Sequence, residues 1–364
     1  MSDLLTDDFR SIVLNNTDLL DVRADIEYVK GAFVTSANIP ILSDEERHLV
    51  GTEYKKNGHA AAVLLAQNLI KEEGKQERVT QWLEYLDSHP NALLYCFRGG
   101  ERSGIAQAWL KESGRDIVRL KGGYKAFRNF LMEESLRISK AHKTIIIGGY
   151  TGSGKTILLN KIKNSIDLEG IANHKGSSFG NNVSIQPSQI NFENNLAYQL
   201  IQSEAKQYKE VVIEHESHNI GRAFIPKEVY LNLMDGEMII LERPITERIM
   251  VSYDEYVLKA QENYIMTYGD AGIAKWTEDV SKGLSKIKKR LGDENYNDIN
   301  TIFISASDAQ DTAQKEELYK KFIGELLEKY YDPMYQFQIE KSTIPLLFKG
   351  NEEEIMEFLQ RRAS

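Results

Sequence analysis

The run Gly149-Tyr150-Thr151-Gly152-Ser153-Gly154-Lys155-Thr156 constrains the fold of this chain more than any other segment. It fits G-x4-G-K-[ST] in full, follows the apolar run Thr144-Ile145-Ile146-Ile147 and precedes the helical run Ile157–Ile162. Strand, glycine loop and helix in that order are the setting this motif requires. The glycines let backbone N–H groups close around phosphate oxygens, Lys155 supplies a point charge, and the Thr156 hydroxyl is a ligand for Mg²⁺. The segment predicts a phosphate-binding α/β unit with Gly149, Gly152, Ser153, Gly154, Lys155 and Thr156 as its contacts. Val211-Val212-Ile213-Glu214 reads as a second strand, with Glu214 as its metal-side carboxylate. Glu216 projects to the same face two residues on and competes for that role. No Asn-Lys-x-Asp run is present, which speaks against a guanine-reading GTPase.

The chain's only cysteine opens a second loop, Cys96-Phe97-Arg98-Gly99-Gly100-Glu101-Arg102-Ser103. The apolar run Ala92–Tyr95 precedes it and the helical run Ile105–Leu110 follows. A cysteine on a glycine-rich turn between strand and helix sits above backbone N–H groups and the positive end of the helix dipole. Arg98 and Arg102 add fixed positive charge, and each feature favours the thiolate, the nucleophilic form. The bland alternative is a buried structural cysteine, but two glycines and two arginines do not line a core. With no second thiol, nothing within the chain can resolve an adduct on Cys96.

At 364 residues the chain is long enough for two cores, and we read domains at 1–135 and 140–364. The first alternates short apolar strands, near Asp21-Val22-Arg23, Asn38–Ile41, 92–95 and 117–120, with helical stretches such as 59–86. Residues 131–143 read as a charged connection. The second adds strands at 144–147, 210–213, 237–241 and 301–304, with long helical stretches at 188–208 and 245–291. Both halves predict α/β architecture with parallel sheets. No apolar stretch approaches membrane-spanning length. The acidic run Met1–Asp8 lacks a basic-then-apolar signal layout. A single cysteine fits a reducing cytoplasm. The net charge of −9 argues against non-specific nucleic-acid binding, so an RNA partner needs a local basic face. Lys286-Ile287-Lys288-Lys289-Arg290 and Arg361-Arg362 are basic clusters, read first as solvated helix faces and second as phosphate-backbone contacts, with Lys286, Lys288, Lys289 and Arg290 as a second candidate patch for RNA. His215-Glu216-Ser217-His218 is one residue short of a zinc helix, and the polar loop Asn173–Gly180 reads on composition alone equally as plain surface or as a functional segment.

These segments in this order resemble the tRNA 2-selenouridine synthase family, a rhodanese-like parallel-sheet domain fused to a P-loop NTPase-like α/β domain. The resemblance spans nearly the whole chain. It is carried by Asp21-Val22-Arg23 with Glu27-Tyr28 and Gly31-Ala32, by Gly51–Lys55, by Tyr95–Gly100 and by Arg119–Arg128. Asp167–Gly180 and Glu214–Ser217 before Ile220-Gly221 carry it further. One departure from ordinary rhodaneses stands out: five residues, not four, separate Cys96 from Arg102, a wider anion cradle of the kind related phosphatases use.

The resemblance implies conversion of wobble 2-thiouridine in the anticodon stem-loop of tRNA to 2-selenouridine with selenophosphate, through an S-geranyl intermediate made from geranyl diphosphate. It implies Cys96 as carrier of a perselenide held by Arg98, Gly99, Gly100 and Arg102. Geranyl diphosphate then occupies Gly149–Thr156 with Mg²⁺ on Thr156 and Glu214; ATP is an alternative ligand there. Basic and aromatic residues beside the cysteine loop, Arg119, Lys121, Tyr124, Lys125 and Arg128, are tRNA candidates, with Phe127 as a second base-stacking ring. His174, Lys175, Ser177 and Ser178 join them once the resemblance marks their loop as functional. Rival readings are a rhodanese-type sulfurtransferase, a Cys-dependent phosphatase fused to a small-molecule kinase, and a non-catalytic tRNA-binding adaptor.

Overall fold

The structure, a computed structural model, describes residues 4–180 and 182–363; Met1–Asp3 of the acidic N-terminal run lie outside them. Two compact units emerge. One comprises the chain to Ile138 together with Ser188–Lys206, and the other Ser139–Pro187 together with the chain from Gln207.

The first unit is built on short strands, β1 (Leu5–Thr6), β2 (Leu19–Asp21), β3 (Ser36–Asn38), β4 (Leu93–Tyr95) and β5 (Arg119–Leu120). They form one all-parallel sheet in the order β1-β5-β4-β2-β3. The chain leaves β4 toward β5 on one side and β2 toward β3 on the other, so the carboxyl end of β4 is a switch point where such sheets bind ligands. Cys96 stands there. Leu20, Val22, Trp82, Leu94 and Leu110 are buried in one core beneath it.

Residues 131–143 are not a connection. A helix, Gly123–Ala141, runs through them. Its buried positions Phe127, Leu131, Ser135 and Ile138 recur at helical spacing, and the charges of Glu133, Glu134, Arg137 and Lys140 occupy the other faces. The predicted helical stretch 59–86 is two helices, Asp44–Leu69, interrupted at Gly58, and Glu72–Ser88. Helix Gln189–Ala205 belongs to this first unit although the P-loop segments flank it in sequence. It buries Phe192, Leu196, Ala197, Leu200 and Ile201, and each of these side chains other than Ala197 stabilises by about 1.5–3 kcal/mol.

The second unit holds β6 (Lys143–Gly148), β7 (Ser165–Ile166), β8 (Glu210–Glu214), β9 (Asn219–Ile220), β10 (Ala223–Phe224), β11 (Glu237–Leu241) and β12 (Leu346–Gly350). Five of them make an all-parallel sheet in the order β12-β11-β6-β8-β7, and β9 and β10 pair antiparallel. β6 is central, flanked by β8 and β11, so the glycine loop that follows it lies at this sheet's own switch point.

The expected strand at 301–304 is corrected: it lies inside helix Asp293–Asp308, and β12 takes the place beside β11. Ile299, Phe303 and Ala306 share the buried face of that helix while Ile304 is half exposed. The stretch 245–291 is broken into Ile245–Tyr253, a π-turn at Asp254–Leu258, Lys259–Tyr268 and Gly272–Leu291. Among the described residues no helix is long and apolar enough to cross a membrane.

Candidate functional site

Cys96 follows β4 directly and its side chain is nearly enclosed, 3% exposed. Its Sγ lies 3.1 Å from the Ser103 hydroxyl, which is itself fully buried and 3.2 Å from the Gly100 carbonyl. The loop is clamped from behind by the turn after β5. Tyr124 N–H donates to the Cys96 carbonyl at 2.9 Å and Lys125 N–H to that of Phe97 at 3.0 Å. Gly99 adopts φ +64°, and a Cβ there would stand 2.6 Å from the Leu120 carbonyl and 2.8 Å from the Gly122 nitrogen. Only glycine allows that approach.

The surrounding arginines divide by role. Arg98 is exposed beside the Phe97 ring. Arg102 makes a bidentate pair with Glu27 at 2.5 and 3.1 Å. Burial works against the Glu27 charge, yet Arg102 and then Arg47 hold its carboxyl below the ordinary range. Arg119 was expected at the RNA surface. It is buried, donating to the Gly99 carbonyl at 3.0 Å and to Gln107 at 2.7 Å, so it props the cysteine loop.

Tyr124 is likewise buried, and the Arg23 guanidinium lies over its ring at 4.0 Å, so that face is taken; Phe127 is fully buried too. Arg23 is itself fixed by a buried pair with Asp21 at 2.6 Å and by the Gly31 carbonyl. Arg128 binds Asn194 at 2.7 Å and pairs with Glu193, anchoring helix Gln189–Ala205. Lys121, paired with Asp7 at 2.9 Å, and Lys125 are the exposed members of the set.

In the second unit the loop Gly149–Thr156 lines a cleft of about 820 Å³. Lys155 Nζ donates to the Gly149 carbonyl at 3.0 Å. Gly152 has φ +79°, and a Cβ there would meet the Ser252 hydroxyl at 2.5 Å and the Arg248 carbonyl at 2.7 Å. Arg248 was not foreseen. Buried, it donates through Nε to the Thr151 carbonyl at 2.9 Å and grips Asp332 at 2.5 and 2.9 Å. It props the phosphate loop from the helical side. No local sequence signal marks it, because its partners lie some 85–100 positions away.

Asp167, Glu169 and Glu216 line the same cleft as Lys155, together with His174, Lys175, Ser177 and Ser178. Lys175 is paired with Glu255 at 2.8 Å. Glu216 lines the cleft, whereas Glu214 lies beneath it, buried, its Oε1 accepting from Glu169 N–H at 2.6 Å. Glu214 Oε2 is buried with no hydrogen-bond partner. Hard oxygen donors and an orphaned carboxylate oxygen fit Mg²⁺, which keeps waters and takes phosphate oxygens. Among the described residues no three His, Cys, Asp or Glu side chains converge as a complete cage. His215 also lines the cleft, while His218 stacks against Phe224. Of the basic clusters, Arg290 reaches the cleft, and Arg362 is engaged with Glu210 and Glu237.

An apolar slot adjoins this cleft. Thr151, Ser177, Ser252, Tyr256 and Tyr331 border both, and Val257, Trp276, Phe322 and Leu326 line the slot alone. The sequence reading did not find it, because its walls come from six helical segments and two loops.

Two outcomes follow from this geometry. Ser103→Ala removes a hydroxyl from the sulfur. A hydrogen bond contributes about 0.5–1.5 kcal/mol, so alkylation of Cys96 by iodoacetamide should slow by up to roughly tenfold; an unchanged rate would deny Ser103 a role at the sulfur. The carboxylate cluster sets a pH dependence. Burial, then the charges of Glu216 and Glu214, push Glu169 up to about 9 despite Lys155. Burial, then Asp167, push Glu214 up to about 8. Unfolded, both titrate near 4.3. Between those limits the native state holds more protons, so stability is full below the lower limit and falls as pH rises through about 8–9. The melting temperature should drop from about pH 5 to pH 9, and Glu214→Gln should flatten that drop.

The family model described as the tRNA 2-selenouridine synthase AAA domain matches residues 142–364, and that of the rhodanese-like domain matches 6–130. The chain belongs to the tRNA 2-selenouridine synthase family. A protein of that name from Sulfurovum sp. (strain NBC37-1) is 50% identical over 97% of each chain. Another from Hydrogenovibrio crunogenus is 42% identical over 98% of this chain and 99% of its own. One from Shewanella frigidimarina is 40% identical over the full length of both. The rhodanese-like match covers the Cys96 loop and the AAA match the Lys155 loop, so both switch points fall inside family domains. Helix Gln189–Ala205 lies within the AAA match while packing in the first compact unit.

Proposed function

We propose that the chain converts wobble 2-thiouridine in tRNA to 2-selenouridine, with selenophosphate as selenium donor and geranyl diphosphate as alkyl donor. The family supports the overall conversion. The observation that carries the alkylation step is a phosphate cleft continuous with an apolar slot, which together suit a diphosphate ester of a hydrocarbon.

Sulfur on C2 of a thiouracil is a poor leaving group, and alkylation changes that. The thiocarbonyl sulfur attacks C1 of the geranyl group, the C1–O bond breaks, its electron pair leaves with diphosphate, and the N3 proton passes to solvent. The amides of Gly149, Gly152, Ser153 and Gly154 and the charge of Lys155 stabilise the departing diphosphate. Mg²⁺, held by Thr156 with Glu214 or Glu216, adds further neutralisation of that charge when bound.

Cys96 carries the selenium as a perselenide: the selenium of selenophosphate attacks Cys96 held as a mixed disulfide with an outside thiol, that thiol leaves, and water takes the phosphoryl group away as phosphate. The loop amides of Gly99 and Gly100, the Ser103 hydroxyl and the nearby charge of Arg98 stabilise the resulting anion. Arg102 fixes the loop through Glu27. The terminal selenium attacks C2, the C2–S bond breaks, and geranylthiol leaves with a proton. An outside thiol then attacks the Cys96 sulfur, since the chain has one cysteine; the S–Se bond breaks with its electron pair on selenium, and the mixed disulfide on Cys96 is restored for the next selenophosphate.

The RNA-facing candidates that stay exposed are Lys121 and Lys125 beside Cys96 and the patch Lys286, Lys288, Lys289 and Arg290, with His174, Ser177 and Ser178 lining the cleft. Replacing Lys121 and Lys125 together by Ala should weaken tRNA binding and flatten the slope of log affinity against log salt by about 0.7–0.9 per lost contact. Binding titrations across salt concentrations measure it, and an unchanged slope would move the RNA surface elsewhere. The reading as a whole is tested by mass spectrometry of tRNA nucleosides from cells lacking the chain. Complementation should restore 2-selenouridine; its failure to do so in selenium-replete cells refutes the reading.

A further inference from the structure

We propose that the end wall of the apolar slot, Trp276 with the Tyr264–Asp279 pair, sets the length of hydrocarbon the diphosphate donor carries; this rests on the alkylation reading above. The slot is small, about 110 Å³, and opens on the phosphate cleft through Ser177, Tyr256 and Tyr331. A diphosphate on Gly149–Thr156 therefore directs its hydrocarbon into the slot, whose lining away from the cleft includes Val257, Phe322 and Trp276.

That end is braced rather than soft. The Trp276 indole N–H donates to the Tyr256 carbonyl at 3.2 Å, and its ring stands edge-on to Tyr319 at 5.5 Å. Tyr264 donates its hydroxyl to Asp279 at 2.7 Å, tying helix Lys259–Tyr268 to helix Gly272–Leu291 across the slot. A chain one isoprene unit too long must separate that pair or displace the indole from its bond. A chain one unit too short leaves apolar wall uncovered. A single methylene in a fitted pocket already changes selectivity by about 10–200-fold, so a whole isoprene unit is discriminated strongly.

The test is a competition. The full-length protein is given 2-thiouridine anticodon stem-loop RNA and equimolar dimethylallyl, geranyl and farnesyl diphosphates, and the alkylated nucleosides are resolved by mass. Tyr264→Ala, which opens the end wall, should raise the farnesyl-to-geranyl product ratio at least about tenfold. Ala260→Leu, which adds bulk to the slot lining, should raise the dimethylallyl-to-geranyl ratio by a similar factor. The two shifts are opposite in direction, so general loosening of the helical core cannot produce both. If Tyr264→Ala does not fold, Ala260→Leu alone decides. Product ratios within about twofold of wild type, with alkylation intact, overturn the length wall while leaving the alkylation reading standing. A wild-type protein that transfers none of the three groups overturns both.

Discussion

Cys96→Ser is expected to abolish 2-selenouridine while S-geranyl-2-thiouridine accumulates in the same tRNA. The substitution changes one atom at a nearly enclosed position, so the loop clamped by Tyr124 N–H, Lys125 N–H and Arg119 keeps its shape. What disappears is the nucleophile: a hydroxyl neither ionises near neutrality nor holds selenium. The alkylation machinery lies on a different sheet and should continue, so the intermediate builds up. Nucleoside mass spectrometry of cells carrying the variant reads both species at once. Normal 2-selenouridine from the Ser variant removes Cys96 from the mechanism, and loss of both species points to a shared structural defect.

Lys155→Ala should have the complementary effect. Removing a preorganised charge that stabilises a departing anion commonly costs about 10²–10³-fold in rate. Geranylation should fall by that factor, and selenation of native thio-tRNA with it. Supplying RNA already geranylated should restore selenation, because Cys96 needs no diphosphate. A variant that geranylates at the wild-type rate would show that the phosphate loop serves another ligand, such as ATP.

The two loops were legible because each is a local pattern whose geometry follows from a few adjacent residues. Gly149–Thr156 and Cys96–Ser103 both require strand, tight turn and helix in immediate succession, and nothing distant can rearrange that. Thr301-Ile302-Phe303-Ile304 illustrates the opposite case. Four apolar or β-branched residues read equally as strand or buried helix, and only Ile299 and Ala306, outside that window, fix the helical period. The arginines were less legible for a related reason. Arg119 and Arg128, read from sequence as RNA-facing cations, and Arg248, which no local signal marks, are each engaged by carbonyls, carboxylates or amides that the fold brings in. Charge can be counted from sequence, but whether a charge is already partnered cannot.

The placement of helix Gln189–Ala205 bears on how the molecule is made. The cysteine-bearing sheet is complete in sequence by Leu120, but the unit around it lacks a wall until residues near 205 have been synthesised. Domains tend to fold as they leave the ribosome. Here the first to emerge must wait, its docking face for Phe192, Leu196 and Ile201 open, while the phosphate loop and the segment to Pro187 are still being translated. A nascent chain halted before that helix emerges should present an exposed apolar surface to chaperones, and one halted beyond it should not.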